Sequence, residues 1–167
     1  RDDTDDAPSS QPDEHPAAPA MRHAAAKEIR PRGQHRNKVE TAVVITHIES
    51  GVQGAASERR DQQQNKAVAL FRLRVKLALE VRCPAGDHAS QLWTSRCQSG
   101  KIAINPKHED FPSLLAEVLD QLQSGEGELA AVLERLRVTS SQLVKFLKLE
   151  PAGMMQLNDL RAAHDRP

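Results

Sequence analysis

The residues best suited to chemistry lie together in Arg32-Gly33-Gln34-His35-Arg36-Asn37-Lys38-Val39-Glu40-Thr41, which runs directly into the apolar Ala42-Val43-Val44-Ile45-Thr46-His47. The Gly-Gln pair lets the backbone turn tightly and approach another molecule closely, because glycine reaches positive φ without a steric penalty. Arg32, His35, Arg36 and Lys38 surround the pair with donors and positive charge. Such a loop places chemistry beside an anion. Charge along the chain agrees with this. Residues 1–20 hold one Arg against six acids, residues 21–82 hold thirteen Lys and Arg against six acids, and residues 83–167 hold nine against eleven. The net charge of zero therefore hides a basic middle segment, for which a polyanion is the natural partner and a solvated face the competing reading.

Downstream come Ser50-Gly51-Val52 and then Ser57-Glu58-Arg59-Arg60-Asp61-Gln62-Gln63-Gln64-Asn65-Lys66-Ala67. In this order the blocks resemble the catalytic domain of class I peptide chain release factors, over about residues 28–81. In size the chain is closest to the stalled-ribosome rescue hydrolases of that family, and no tripeptide in it can be assigned to codon reading. The resemblance implies codon-independent hydrolysis of the ester joining a nascent peptide to tRNA. Gly33 and Gln34 would be the catalytic residues. The Gln34 backbone N–H would stabilise the developing charge, a contribution of about 3 kcal/mol for a pre-oriented donor in a dry site. The Gln34 side chain would shape the pocket and screen out larger nucleophiles, while the terminal ribose hydroxyl of the RNA relays the proton. No Ser-His-Asp triad, paired carboxylate or cofactor is then required.

By the same resemblance Arg32, His35, Arg36, Lys38, Arg59, Arg60 and Lys66, with Arg72 and Arg74, are candidates for contacts to RNA phosphates, which position a protein without reading sequence. Asn37 and Glu40 would brace the loop, and Asn65-Lys66 would tie a helix to a hairpin. One departure matters. Arg32 stands where the family's Gly-Gly-Gln triplet has its first glycine, and Arg30 where another loop glycine is usual. An Arg forced into a glycine-only conformation costs about 1 to 3 kcal/mol, although it can also pair with a phosphate. Two functions stay open: a ribosome-associated peptidyl-tRNA hydrolase, and a non-catalytic binder of ribosomal RNA with a degenerate loop. A DNA-binding regulator built on the C-terminal helices is a third, weakened by the lack of a basic recognition helix.

The elements that must position the loop define an α+β fold: a small β-sheet or hairpin packed on a long helix, followed by an α-helical extension. Residues 1–20 read as a disordered acidic tail, with too little to bury for the entropy of ordering. Residues 21–82 form the release-factor-like domain. Thr41–Ile48 alternates, with Val43, Ile45 and His47 on one face, and Glu49-Ser50-Gly51 turns into a second strand, Val52–Ala56. Ser57 is the expected N-cap of a helix reaching about Arg82, whose apolar stripe reads Ala67, Leu70, Leu73, Leu77 and Val81. In the extension, 83–167, the stretch before Asp110 reads as irregular with a short strand. Asp110, Thr139 or Ser140, and Pro151 then mark successive helix starts.

Other classes are bounded by composition. Cys83 and Cys97 are too few for a disulfide framework, and with His88 and His108 they lack the close Cys pair of a zinc module, so no metal is expected. Trp93 reads as a core residue. Aromatics total 2% with no Tyr, which argues against a base-stacking platform. The acidic start, the absence of a secretory pattern and the lack of a long apolar run predict a cytoplasmic protein without a membrane span. The expected partners are the ribosome, through large-subunit RNA, and peptidyl-tRNA. A monomer is expected, with no DNA.

Overall fold

The computed structural model of the chain describes residues 41–164 and, as backbone, the strand 26–29. The expected tail, and Arg32, Gly33, Gln34, His35, Arg36, Asn37, Lys38 and Glu40, lie outside the described residues. Strands β1 (Ala26–Ile29), β2 (Val43–His47) and β3 (Gln53–Ala56) form an antiparallel sheet in the order β1-β2-β3. β1 is set against β2 with Ile29 opposite Val44, and β2 against β3 with Val43 opposite Ala56. Period-2 alternation buries Val43, Ile45 and Ala56 on one face. Gly51, at φ +73°, supplies the positive φ that the β2–β3 turn needs.

Helix α1 (Gln62–Glu80) packs on that face through Ala69 and Leu73. Its seat is set by Gly54. A Cβ there would stand 2.1 Å from the Ala69 carbonyl oxygen and 2.6 Å from the Leu73 nitrogen, so only glycine lets strand and helix approach so closely. This contact fixes the buried stripe as Asn65, Ala69 and Leu73, spaced i, i+4, i+8. Ala67, expected on the stripe, is exposed in consequence. The expected cap is also corrected. Asp61, not Ser57, caps α1, its Oδ1 accepting the Gln64 N–H at 2.8 Å. Helix cannot start at Ser57 because the Arg59 backbone is bonded to the Asn65 side chain instead.

On another side of α1, Phe71, Val75, Ala78 and Leu79 pack into a second core. That core is built from α2 (Gln91–Arg96), α3 (Phe111–Ser124), α4 (Leu129–Leu136), α5 (Ser140–Leu147) and α6 (Pro151–Ala163). Trp93 and Phe146 meet edge to face with centroids 5.7 Å apart, and the buried Trp93 donates its indole N–H to the Leu136 carbonyl at 2.8 Å. Gln156 of α6 donates to the Leu79 carbonyl of α1 at 2.6 Å.

The stretch expected to be irregular before Asp110 contains α2 and the two-residue strands β4 (Cys97–Gln98) and β5 (Lys101–Ile102). Polar side chains of α3 explain its order. Glu117 accepts from the Ser90 N–H at 2.7 Å and its hydroxyl at 2.6 Å, and Asp120 accepts from the Cys83 N–H at 3.1 Å. Gln121 donates to the Gly86 carbonyl at 2.7 Å. Desolvation raises the Asp120 carboxyl above its usual range, against the opposing pull of the Cys83 N–H and the Arg82 guanidinium. Asp110 stands before α3 as expected, but its carboxylate pairs with Arg96 at 2.6 Å rather than capping the helix. Among the described residues no helix is long and apolar enough to cross a membrane.

Candidate functional site

The described chain leaves β1 at Ile29 and resumes at Thr41 before β2, and both points lie at the end of the sheet where β3 passes into α1. What fixes that end is Asn65. Its side chain is fully buried, yet every polar atom is used. Nδ2 donates to the Thr41 carbonyl at 2.7 Å and the Arg59 carbonyl at 2.9 Å, while Oδ1 accepts the Arg59 N–H at 2.9 Å. The Thr41 hydroxyl adds a bond to the same Arg59 carbonyl at 2.9 Å. The residue that closes the loop is thereby clamped to the segment carrying Arg59 and Arg60, and both of these are exposed.

A second set of bonds stiffens this segment. Glu58 accepts the Ser57 N–H at 2.8 Å and pairs with Arg72, which also donates to the Ala55 carbonyl at 2.8 Å. The Glu58 carboxyl is held down to about 2, by its own and the Ser57 backbone N–H groups and then by Arg72. The guanidinium of Arg72, a sequence candidate for phosphate contact, is thus committed within the protein. Lys66 is exposed on the first turns of α1, beside Asn65, and Arg74 is half-buried further along.

The site therefore brings together Thr41, Arg59, Arg60, Asn65 and Lys66. Sequence reading gave no role to Thr41, Glu58 or Gly54. A lone glycine in a strand was the available signal for the last. The Ser-His contact at His47 and Ser50 belongs to the β2–β3 turn: Nδ1 of His47 lies 2.7 Å from the Ser50 hydroxyl and accepts the Ser50 N–H at 3.2 Å. Among the described residues no group of three His, Cys, Asp or Glu side chains is placed to hold a metal ion.

A frame of this kind can hold an inserted loop at a fixed angle with cations at its base. The family model of the RF-1 domain matches residues 23–109, which takes in the sheet, α1 and the segment pinned by α3. Peptide chain release factor 1 of Chloroherpeton thalassium is 34% identical over 115 residues, covering 64% of this chain and 32% of that protein. The chloroplastic peptide chain release factor PrfB1 of Arabidopsis thaliana is 45% identical over 69 residues, 36% of this chain and 15% of its own length. Peptide chain release factor 1 of Granulibacter bethesdensis is 43% identical over 68 residues, 41% and 19% respectively. No solved structure matches. The chain belongs to the class I peptide chain release factor family, of which it carries the catalytic-domain region. It spans about a third or less of the length of each of these relatives.

Proposed function

We propose that the chain hydrolyses the peptidyl-tRNA ester on the ribosome, independently of the codon, with Gly33 and Gln34 at the reacting centre. The supporting observation is the clamp at Asn65, which anchors the return of residues 30–40 beside exposed Arg59 and Arg60 in a chain of this family. An insertion into an RNA-walled site needs a stiff base and positive charge around it, and the described residues at the base offer both. In this reading the Gln34 N–H stabilises the developing oxyanion, and the Gln34 side chain excludes nucleophiles larger than water. Arg32, His35, Arg36, Lys38, Arg59, Arg60 and Lys66 contact RNA phosphates, and Asn37 and Glu40 brace the loop. Residues 21–82 act as the catalytic domain, 83–167 as a helical extension and 1–20 as an acidic tail. The protein works as a cytoplasmic monomer on large-subunit RNA and peptidyl-tRNA.

Arg32 favours a second reading, in which the same surface occupies ribosomal RNA without hydrolysis. Release of formyl-methionine from initiator tRNA on ribosomes separates the two. Release with an empty A site, equal to that with a stop codon in place, supports codon-independent hydrolysis. Co-sedimentation with ribosomes and no release in either state supports the binder.

A further inference from the structure

Acids and bases are segregated within residues 83–167 although their numbers nearly match. Residues 88–108 and 135–149 together contain seven Lys and Arg and no Asp or Glu, whereas all eleven acids lie outside these two stretches. The fold packs the stretches against each other. The Trp93 indole reaches the Leu136 carbonyl, the Cys97 thiol lies 3.8 Å from the Arg137 carbonyl, and a side chain at Gly100 would begin 3.8 Å from that same oxygen. The β4–β5 turn therefore sits beside the α4–α5 turn. Arg96 and Arg135 are engaged internally, with Asp110 and Gln121. Lys101, Arg137, Lys145 and Lys148 are exposed, and no salt bridge found among the described residues includes them.

On α5, Ser141, Lys145 and Lys148 recur at i, i+4 and i+7, opposite the buried Leu143, Phe146 and Leu147. They share the solvent face of a helix about 12 Å long. We propose that this face, Lys101 and Arg137 at the paired turns with Lys145 and Lys148 along α5, is a second docking surface for an RNA backbone, separate from the loop-bearing end. Each stretch carries its cations with no acid inside it, which matches a run of phosphates, and Ser99 and Ser140 add exposed hydroxyl donors. Lys and Ser on this face can meet phosphate oxygens, contacts that position a protein without reading sequence. The choice of RNA over DNA rests on the proposed ribosomal function; the charge segregation does not.

The test is fluorescence anisotropy of the full chain with a labelled RNA hairpin and a DNA duplex of equal length, titrated over salt. It needs no hydrolysis, so loss of the release activity would leave it interpretable. Replacing Lys101, Arg137, Lys145 and Lys148 together by Gln is expected to weaken RNA binding tenfold or more at about 0.1 M salt, and to reduce the log–log salt slope by roughly 3. Should that variant melt at a lower temperature, Lys145→Gln with Lys148→Gln carries the test, with about half the change in slope. Unchanged affinity and slope would overturn the surface, and tighter binding of DNA than of RNA would overturn the partner.

Discussion

Asn65 bonds both backbone groups of Arg59, accepting its N–H and donating to its carbonyl, each at 2.9 Å. A side-chain amide here takes the place of a strand partner, and its second donor contact, to Thr41, joins the end of the basic loop to the same point. Asn65→Ala would leave the Arg59 N–H and the Thr41 carbonyl to find new partners, while the Arg59 carbonyl keeps the Thr41 hydroxyl. Losing one buried partner costs about 1 to 3 kcal/mol, so urea unfolding is expected to show a loss of about 3 kcal/mol. A loss below about 0.5 kcal/mol would mean that water replaces the amide freely.

Gly54→Ala is expected to destabilise the protein by more than about 2 kcal/mol, since overpacking against backbone atoms has no rotamer to relieve it. Its Cβ would meet the Ala69 carbonyl, the Leu73 nitrogen and the Leu73 Cβ, the last at 2.8 Å. Gly86→Ala, where the nearest atom is the His88 carbonyl oxygen at 3.7 Å, is the control and should unfold near the wild-type midpoint.

Acid should release the segment that holds Arg59. Glu58 is lowered from 4.5 to about 2, so the folded state binds this proton less readily than the unfolded state. Its contribution is complete above the unfolded value and is lost as pH falls from about 4.5 through about 2. The stability advantage of wild type over Glu58→Gln should shrink across that window. Backbone N–H groups are the larger cause, so in Arg72→Gln a carboxyl titration by NMR should still find Glu58 below its ordinary range. A full return to 4.5 would assign the shift to Arg72 instead.

Trp93 is the single tryptophan, so its fluorescence reports on the helical core alone. Trp93→Phe deprives the buried Leu136 carbonyl of its donor and opens space beside Phe146. The expected cost is about 2 kcal/mol, measured by circular dichroism because the variant is dark.

Elements carried by local pattern were legible in the sequence. The alternation around Val43 and Ile45, the glycine turn at Gly51, the end of α1 near Glu80 and the helix starts at Phe111, Ser140 and Pro151 need only neighbouring residues. What depended on distant partners was not. The true cap of α1 is Asp61 because Asn65 holds Arg59 out of the helix, and the stripe of α1 follows from Gly54 on another strand. Helix α2 has six residues, and its order comes from Glu117, Asp120 and Gln121 far along the chain. At the site, the pairing role of Asn65 was readable from the resemblance. The commitment of Arg72 to Glu58 was not, since nothing in the spacing marks which of two nearby bases meets an acid.

The central claim is hydrolysis at the Gly33-Gln34 tip, and its most direct test is the rate of formyl-methionine release from initiator tRNA on ribosomes with an empty A site. Gln34→Ala should abolish the release while ribosome co-sedimentation persists, and Arg32→Gly should raise it, by up to about a hundredfold if the arginine strains the turn by about 3 kcal/mol. Release unaffected by Gln34→Ala, or none from either wild type or Arg32→Gly despite ribosome binding, would contradict it.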